Sequence, residues 1–168
     1  MTVSKKPDYM RFAAISMVII VIDFITKKWM LSLLFETPQQ IVITSFFNLT
    51  PVWNKGVSFG IMSSYPEIIR FIIPILALLV ILFLISQIHL QQRMQQIGSA
   101  IIAGGAAGNV IDRFLYGKVV DFFDFHIGGY HWPAFNIADI AICAGVAITI
   151  YVIIWPSSKS VSYTHLRA

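Results

Sequence analysis

The chain has 168 residues, of which 57% are hydrophobic and 12% charged, and its mean hydropathy of +0.77 excludes an ordinary soluble domain. The formal charge of +4 comes from scattered Lys and Arg rather than a basic tract, which argues against a nucleic-acid partner. The single cysteine, Cys143, lies in an apolar run, so an intramolecular disulfide is excluded and the fold rests on packing.

A helix needs roughly 20 mostly apolar residues to cross a bilayer core, and four segments qualify: 12–34, 67–88, 96–115 and 135–155. The first follows Lys5 and Lys6 but is interrupted by Asp23, Lys27 and Lys28. With no small-residue cleavage site after it, it reads as a retained span rather than a signal peptide. Loop 43–62, ITSFFNLTPVWNKGVSFGIM, carries β-branched and aromatic residues around an Asn54-Lys55-Gly56 turn signal, which predicts a small hairpin. Pro74 is expected to kink the second span, and the connection near 89–95 is a short polar turn. In the third span Gly104 and Gly108 form a GxxxG, read as close helix packing within the monomer. Loop 118–132, KVVDFFDFHIGGYHW, sets Gly128-Gly129 between two strand-like runs and predicts a second hairpin. Both loops are apolar for exposed segments, as expected at a membrane surface or around a groove for an apolar ligand. Trp29, Trp132 and Trp155 fall near span ends, where interfacial anchors sit.

Lys5, Lys6, Arg11, Arg93, Lys159 and Arg167 share one side of this topology, while Lys55, Arg70, Arg113 and Lys118 lie toward the other. That imbalance places both termini in the cytoplasm. The expected fold class is an all-α membrane protein, with four transmembrane helices and small β-hairpin-like elements in the two outer loops. Residues 1–158 should form a single membrane-embedded domain, with 159–168 a non-native tail outside it.

An ionised carboxylate within a span costs roughly 2.5 to 3.5 kcal/mol on insertion scales, so the polar residues of the spans need a reason. Asp23 and Lys27 are i,i+4 in the first span; Asn109, Asp112 and Arg113 share a face of the third; Asn136 and Asp139 are i,i+3 in the fourth. From the 1.5 Å rise per residue, Asp139 should lie about 6 to 8 Å inside the outer end of its helix. With Asn54 and Asp121 in the outer loops, these groups converge on the outer membrane interface. A structural network, with Asp112 paired to Arg113 and Asp23 to Lys27, accounts for four of them. It leaves Asp139 with no basic residue within a turn. Asp121 and Asp124 fall on opposite faces of an extended segment, so only one can join a shared cavity, and spacing does not choose between them.

Two carboxylates in a partly dry pocket form the constellation of aspartic proteases, in which one stays protonated while the other activates water. His126 and His131 have no Cys or Glu neighbours at zinc-ligand spacing; His89 is on the cytoplasmic side and His165 in the tail. Ser58 and Ser63 lack a G-x-S-x-G frame, and no phosphate-binding loop occurs. Neither a metal nor another cofactor is expected. A proton-coupled transporter would place its key acid near the bilayer midplane, a depth that only Asp23 fits, and a non-enzymatic assembly subunit would not need an unpaired Asp139.

The blocks DFITK (23–27), NKGVSFG (54–60), GGAAGNVIDR (104–113), VVDF (119–122) and FNIAD (135–139) resemble, in that order, the lipoprotein signal peptidases (signal peptidase II). The resemblance implies a membrane aspartic endopeptidase that removes signal peptides from bacterial prolipoproteins, cutting just before a diacylglyceryl-modified cysteine. It also selects the catalytic pair, Asp121 and Asp139. Asn54, Asn109, Arg113 and Asn136 match the family's other motif positions and Asp23 its acidic residue of the first helix; Lys27, Gly56 and Asp112 fall within the matching blocks as supporting residues. The implied partners are lipid-modified prolipoproteins and membrane lipids. The implied state is a monomer in the bacterial cytoplasmic (inner) membrane, its site toward the outer leaflet.

Overall fold

The computed structural model of the protein describes residues 8–56 and 66–155. Lys5, Lys6, Ser58, Ser63, the rest of 57–65, the Arg70 side chain and everything after 155, including Lys159, His165 and Arg167, lie outside the described residues.

Among the described residues the chain forms four long helices: α1 (Tyr9–Met30), prolonged by a π-helical turn at Leu31–Phe35; α2 (Pro66–Gln87), followed by a 3₁₀ turn at Ile88–Leu90; α3 (Arg93–Tyr116); and α4 (Ile137–Ile154). Asp8 starts α1 by accepting the Arg11 N–H at 2.9 Å. α2 continues through Pro74 as one helix. α3 stops at Gly117, whose φ of 71° and N–H returned to the Arg113 carbonyl form a left-handed cap.

Three segments, Tyr9–Phe35, Phe71–Leu90 and Ile137–Ile154, are long and apolar enough to cross a membrane. α3 packs against α1, α2 and α4, so its surface faces protein and its many small and polar side chains are buried. Burial is inverted relative to a soluble protein. Met17, Val18, Leu82, Phe83, Ile150 and Ile153 are exposed, whereas Asp23, Lys27, Asn109, Asp112 and Asn136 are buried, as a lipid solvent requires.

The small residues of α3 serve two faces. A Cβ on Gly104 would come 2.8 Å from the Ser16 carbonyl oxygen of α1, and one on Gly105 would come 2.4 Å from the Ala138 carbonyl oxygen of α4. The glycines therefore admit neighbouring helices of the same chain. At Gly108 the added Cβ would meet Asp23 Oδ2 at 2.5 Å. Gly108→Ala is expected to lower thermal stability in detergent by about 1–3 kcal/mol, the usual cost of overpacking, with loss of activity because the displaced group is a buried carboxylate. A variant of unchanged melting temperature would show that α1 and α3 separate freely.

The loop between α1 and α2 pairs with the loop between α3 and α4, a feature not expected from their separate turn signals. β1 (Ile41–Thr44), β2 (Phe47–Asn54), β3 (Val119–Ile127) and β4 (Tyr130–His131) form one antiparallel sheet in that order. The first described hairpin turns at Ser45-Phe46; β2 ends at Asn54, and the far arm of the hairpin expected about Asn54-Lys55-Gly56 falls in 57–62, outside the described residues. The second turns at Gly128-Gly129 as expected, with φ of 57° and 83°. Register slips between Leu49 and Val52, where Pro51 has no N–H to give the ladder. Met30 and Leu34 at the end of α1 pack with Val120 and Phe122 beneath the sheet, while Phe12, Ile88, Ala100 and Ala103 close the opposite end.

Candidate active site

Asp121 lies in β3 opposite Val52, and the strand is tied to the approach to α4 by reciprocal bonds between Phe123 and Phe135 (2.9 and 3.2 Å). That bridge brings Asn136 beside Asp121. Asn136 is the N-cap of α4: its Oδ1 accepts the Asp139 N–H at 3.0 Å, and Asp139 Oδ2 accepts the Asn136 N–H at 3.1 Å. The helix starts at Ile137, so Asp139 lies in its first turn, closer to the end than the spacing from residue 135 suggested. A carboxylate there is favoured by the orphan N–H groups and the helix dipole. The N-x-x-D spacing of a capping box was the sequence signal that identifies this start.

Asn136 is fully buried and links both acids. Its Nδ2 donates to Asp121 Oδ1 at 2.7 Å, with longer contacts to Asn109 Oδ1 (3.1 Å) and the Val120 carbonyl (3.3 Å). Asn54 Nδ2 donates to Asp121 Oδ2 at 2.9 Å, and Asn54 Oδ1 accepts the Gly56 N–H at 2.7 Å. Gly56, with φ of 81°, thus fixes which end of the Asn54 amide faces the acid. Asn109 Nδ2 donates to Asp139 Oδ1 at 2.8 Å.

Behind this layer Lys27 contacts Asp23 Oδ2 (2.8 Å), Asp112 Oδ2 (3.0 Å) and Asn109 Oδ1 (3.0 Å). Asp112 therefore pairs with Lys27 on another helix. The helix-end pair of Asp112 with Arg113 is not the observed one, because adjacent residues project from different sides of a helix. Arg113 Nη1 donates to the Asn109 carbonyl at 3.1 Å, and its side chain walls a groove of about 100 Å³ with Phe71, Pro74, Ile75 and Phe114.

The opposite-face expectation for the two loop acids holds. Asp124 accepts from Thr50 Oγ1 at 2.9 Å, lies 2.7 Å from His131 Nδ1, and is absent from the Asn54–Asn136 cluster. Burial alone would raise its pKa; the hydrogen bonds from His131 and Thr50 outweigh it and hold the carboxyl below the usual range. Asp121 behaves oppositely. Burial and, more weakly, the charge of Asp139 push it up to about 6 against the hydrogen bonds from Asn54 and Asn136. An open cavity of about 310 Å³, lined by Val52, Trp53, Asn54, Lys55, Asp121, Pro133 and Ala134, leads to it. Among the described residues no three His, Cys, Asp or Glu are grouped to hold a metal ion.

A family model described as signal peptidase (SPase) II matches residues 15–155. A lipoprotein signal peptidase from Janthinobacterium sp. (strain Marseille) is 43% identical over 150 residues, covering 88% of this chain and 90% of that protein. One from Francisella tularensis subsp. novicida (strain U112) is 39% identical over 155 residues, covering 90% and 96%. A solved bacterial membrane enzyme superposes with a TM-score of 0.74 at 29% identity, covering 92% of this chain and 99% of the other.

Proposed function

The chain belongs to the signal peptidase II family, the aspartic peptidases that cleave signal peptides from prolipoproteins, and from that premise we propose that Asp121 and Asp139 are its catalytic pair. The observation that carries this reading is Asn136, which holds Asp121 with its side chain and Asp139 with reciprocal capping bonds. Asp139 takes a proton from water as the oxygen attacks the scissile carbonyl. Asp121, the acid whose burial favours the protonated form, hydrogen-bonds the carbonyl oxygen through the proton it keeps. Collapse of the tetrahedral intermediate breaks the C–N bond, and the proton held on Asp139 passes to the leaving nitrogen. Asn54, Gly56, Asn109 and Asn136 orient the pair, Arg113 meets substrate in the groove, and Asp23, Lys27 and Asp112 support them from behind. The scissile bond is that before a diacylglyceryl-modified cysteine, whose acyl chains lie in the outer leaflet at the level of the site.

The same reading makes the protein a monomer of one domain, residues 1–158, in the bacterial inner membrane. α3 crosses with the other three helices, both termini are cytoplasmic, and membrane lipids surround the exposed apolar faces. The test is incubation of the purified protein with a diacylglyceryl-modified prolipoprotein and mass analysis of the products. Cleavage before the modified cysteine is expected; an intact substrate would refute the assignment.

In a Cys143→Ala background, Lys55→Cys should be labelled by a membrane-impermeant thiol reagent on cells with a permeabilised outer barrier, and His89→Cys only after lysis. Both positions are exposed. The reverse pattern would put the pair on the wrong side of the bilayer from its substrate.

The pair must carry one proton to work. Because the Asp121 pKa is raised to about 6, that proton is present below this value and lost above it, so kcat/KM should fall as pH rises through about 6. A profile flat from pH 5 to 8 would contradict the role given to Asp121.

A further inference from the structure

We propose that Lys27 is a positioning residue, a cationic yoke that sets the spacing of the two acids through the backbone in front of each. Lys27 is almost fully buried, and its three N–H donors are matched by three acceptors, Asp23, Asp112 and Asn109. Each carboxylate has a second task. Asp23 Oδ1 accepts the Ala138 N–H at 2.9 Å, and Ala138 immediately precedes Asp139. Asp112 Oδ2 accepts the Val120 N–H at 3.0 Å, and Val120 immediately precedes Asp121. The third donor ends on Asn109, whose amide holds the Asp139 carboxyl at 2.8 Å. Every arm from the ammonium therefore terminates on one of the two acids or on the N–H of the residue just before it.

Stability does not explain such an arrangement, since a buried ion triad is commonly no better for stability than well-packed apolar residues. Fixing geometry does. Without the cation two buried carboxylates repel, and β3 and α4 lose the link that holds their clamps together. A misplacement on the order of 1 Å at reacting groups costs roughly 100-fold in rate. The proposal rests on Asp121 and Asp139 being the catalytic pair.

The test uses two charge-balanced cuts. Asp23→Asn, its oxygen left on the Ala138 N–H, turns its NH₂ toward Lys27 and severs that arm; Asp112→Asn puts a neutral oxygen where Oδ2 serves both Lys27 and the Val120 N–H and so weakens the other. Each should lower kcat by about 10- to 100-fold while KM stays within about threefold, because the substrate groove is untouched. The neutral triple variant Asp23→Asn, Lys27→Met, Asp112→Asn should lose no more than the larger single, since one severed arm already opens the yoke. Losses that multiply in the triple variant, or kcat unchanged in both singles, would overturn the proposal. The singles decide it on their own if the triple variant does not fold. Asp121→Asn, measured alongside, separates the two readings. Activity retained there defeats the catalytic pair itself, whereas an inactive Asp121→Asn beside fully active arm variants defeats only the yoke.

Discussion

Asp139→Asn and Asp121→Asn are each expected to reduce cleavage by at least about 1,000-fold, toward the upper end of what a positioned acid or base contributes. The amide keeps the volume of the carboxyl but can neither ionise nor pass a proton. Neither variant should unfold. At Asp121 both carboxyl oxygens accept amide donors, from Asn54 and Asn136, so an Asn turns one NH₂ against a donor and costs about 1–3 kcal/mol. The same holds at Asp139, whose oxygens accept from Asn109 and the Asn136 N–H. Asp124→Asn is the matched control: a buried loop acid three residues on, held by Thr50 and His131, which should keep most activity. Cleavage rates and thermal unfolding of the three purified variants check this, and a fully active Asp139→Asn would remove the pair.

Asn136→Ala should be nearly as damaging, although Asn136 does no proton chemistry. It removes an N-cap, worth about 1 kcal/mol, and leaves buried polar groups of Asp121 and Asn109 short of a donor, at about 1–3 kcal/mol each. Activity should fall by more than about 100-fold, because both acids lose their common anchor. A second signature has a definite sign. The Asn136 hydrogen bond lowers the Asp121 pKa, so its removal raises that pKa and moves the alkaline limb of any residual kcat/KM to higher pH. A limb that moves to lower pH would contradict the bond.

The spans were legible because lipid exposure demands runs of apolar side chains, and α3 was legible by its small residues. The polar wiring was less so. Asp23 with Lys27 follows from helical spacing, but Asp112 with Lys27 joins two helices and leaves no periodic trace. The adjacent Arg113 drew the expectation toward a local pair. The turn at Gly128-Gly129 announces itself through positive φ, whereas the pairing of β2 with β3 depends on how two distant loops meet above the helices. The choice of Asp121 over Asp124 came from motif resemblance. In the structure Asn54 and Asn136 hydrogen-bond Asp121, while Thr50 and His131 hold Asp124.

The union of the two strand-bearing loops in a single sheet has a consequence for biosynthesis. β2 is made early, but it finds its partner only after β3 has left the ribosome, and Asn136, which joins the acids, emerges later still with the last helix. A nascent chain lacking α4 contains no assembled pair, whatever else has inserted. On the proposed assignment of Asp121 and Asp139, proteolytic competence therefore waits for the last helix, and a chain terminated before it lacks one of the two acids.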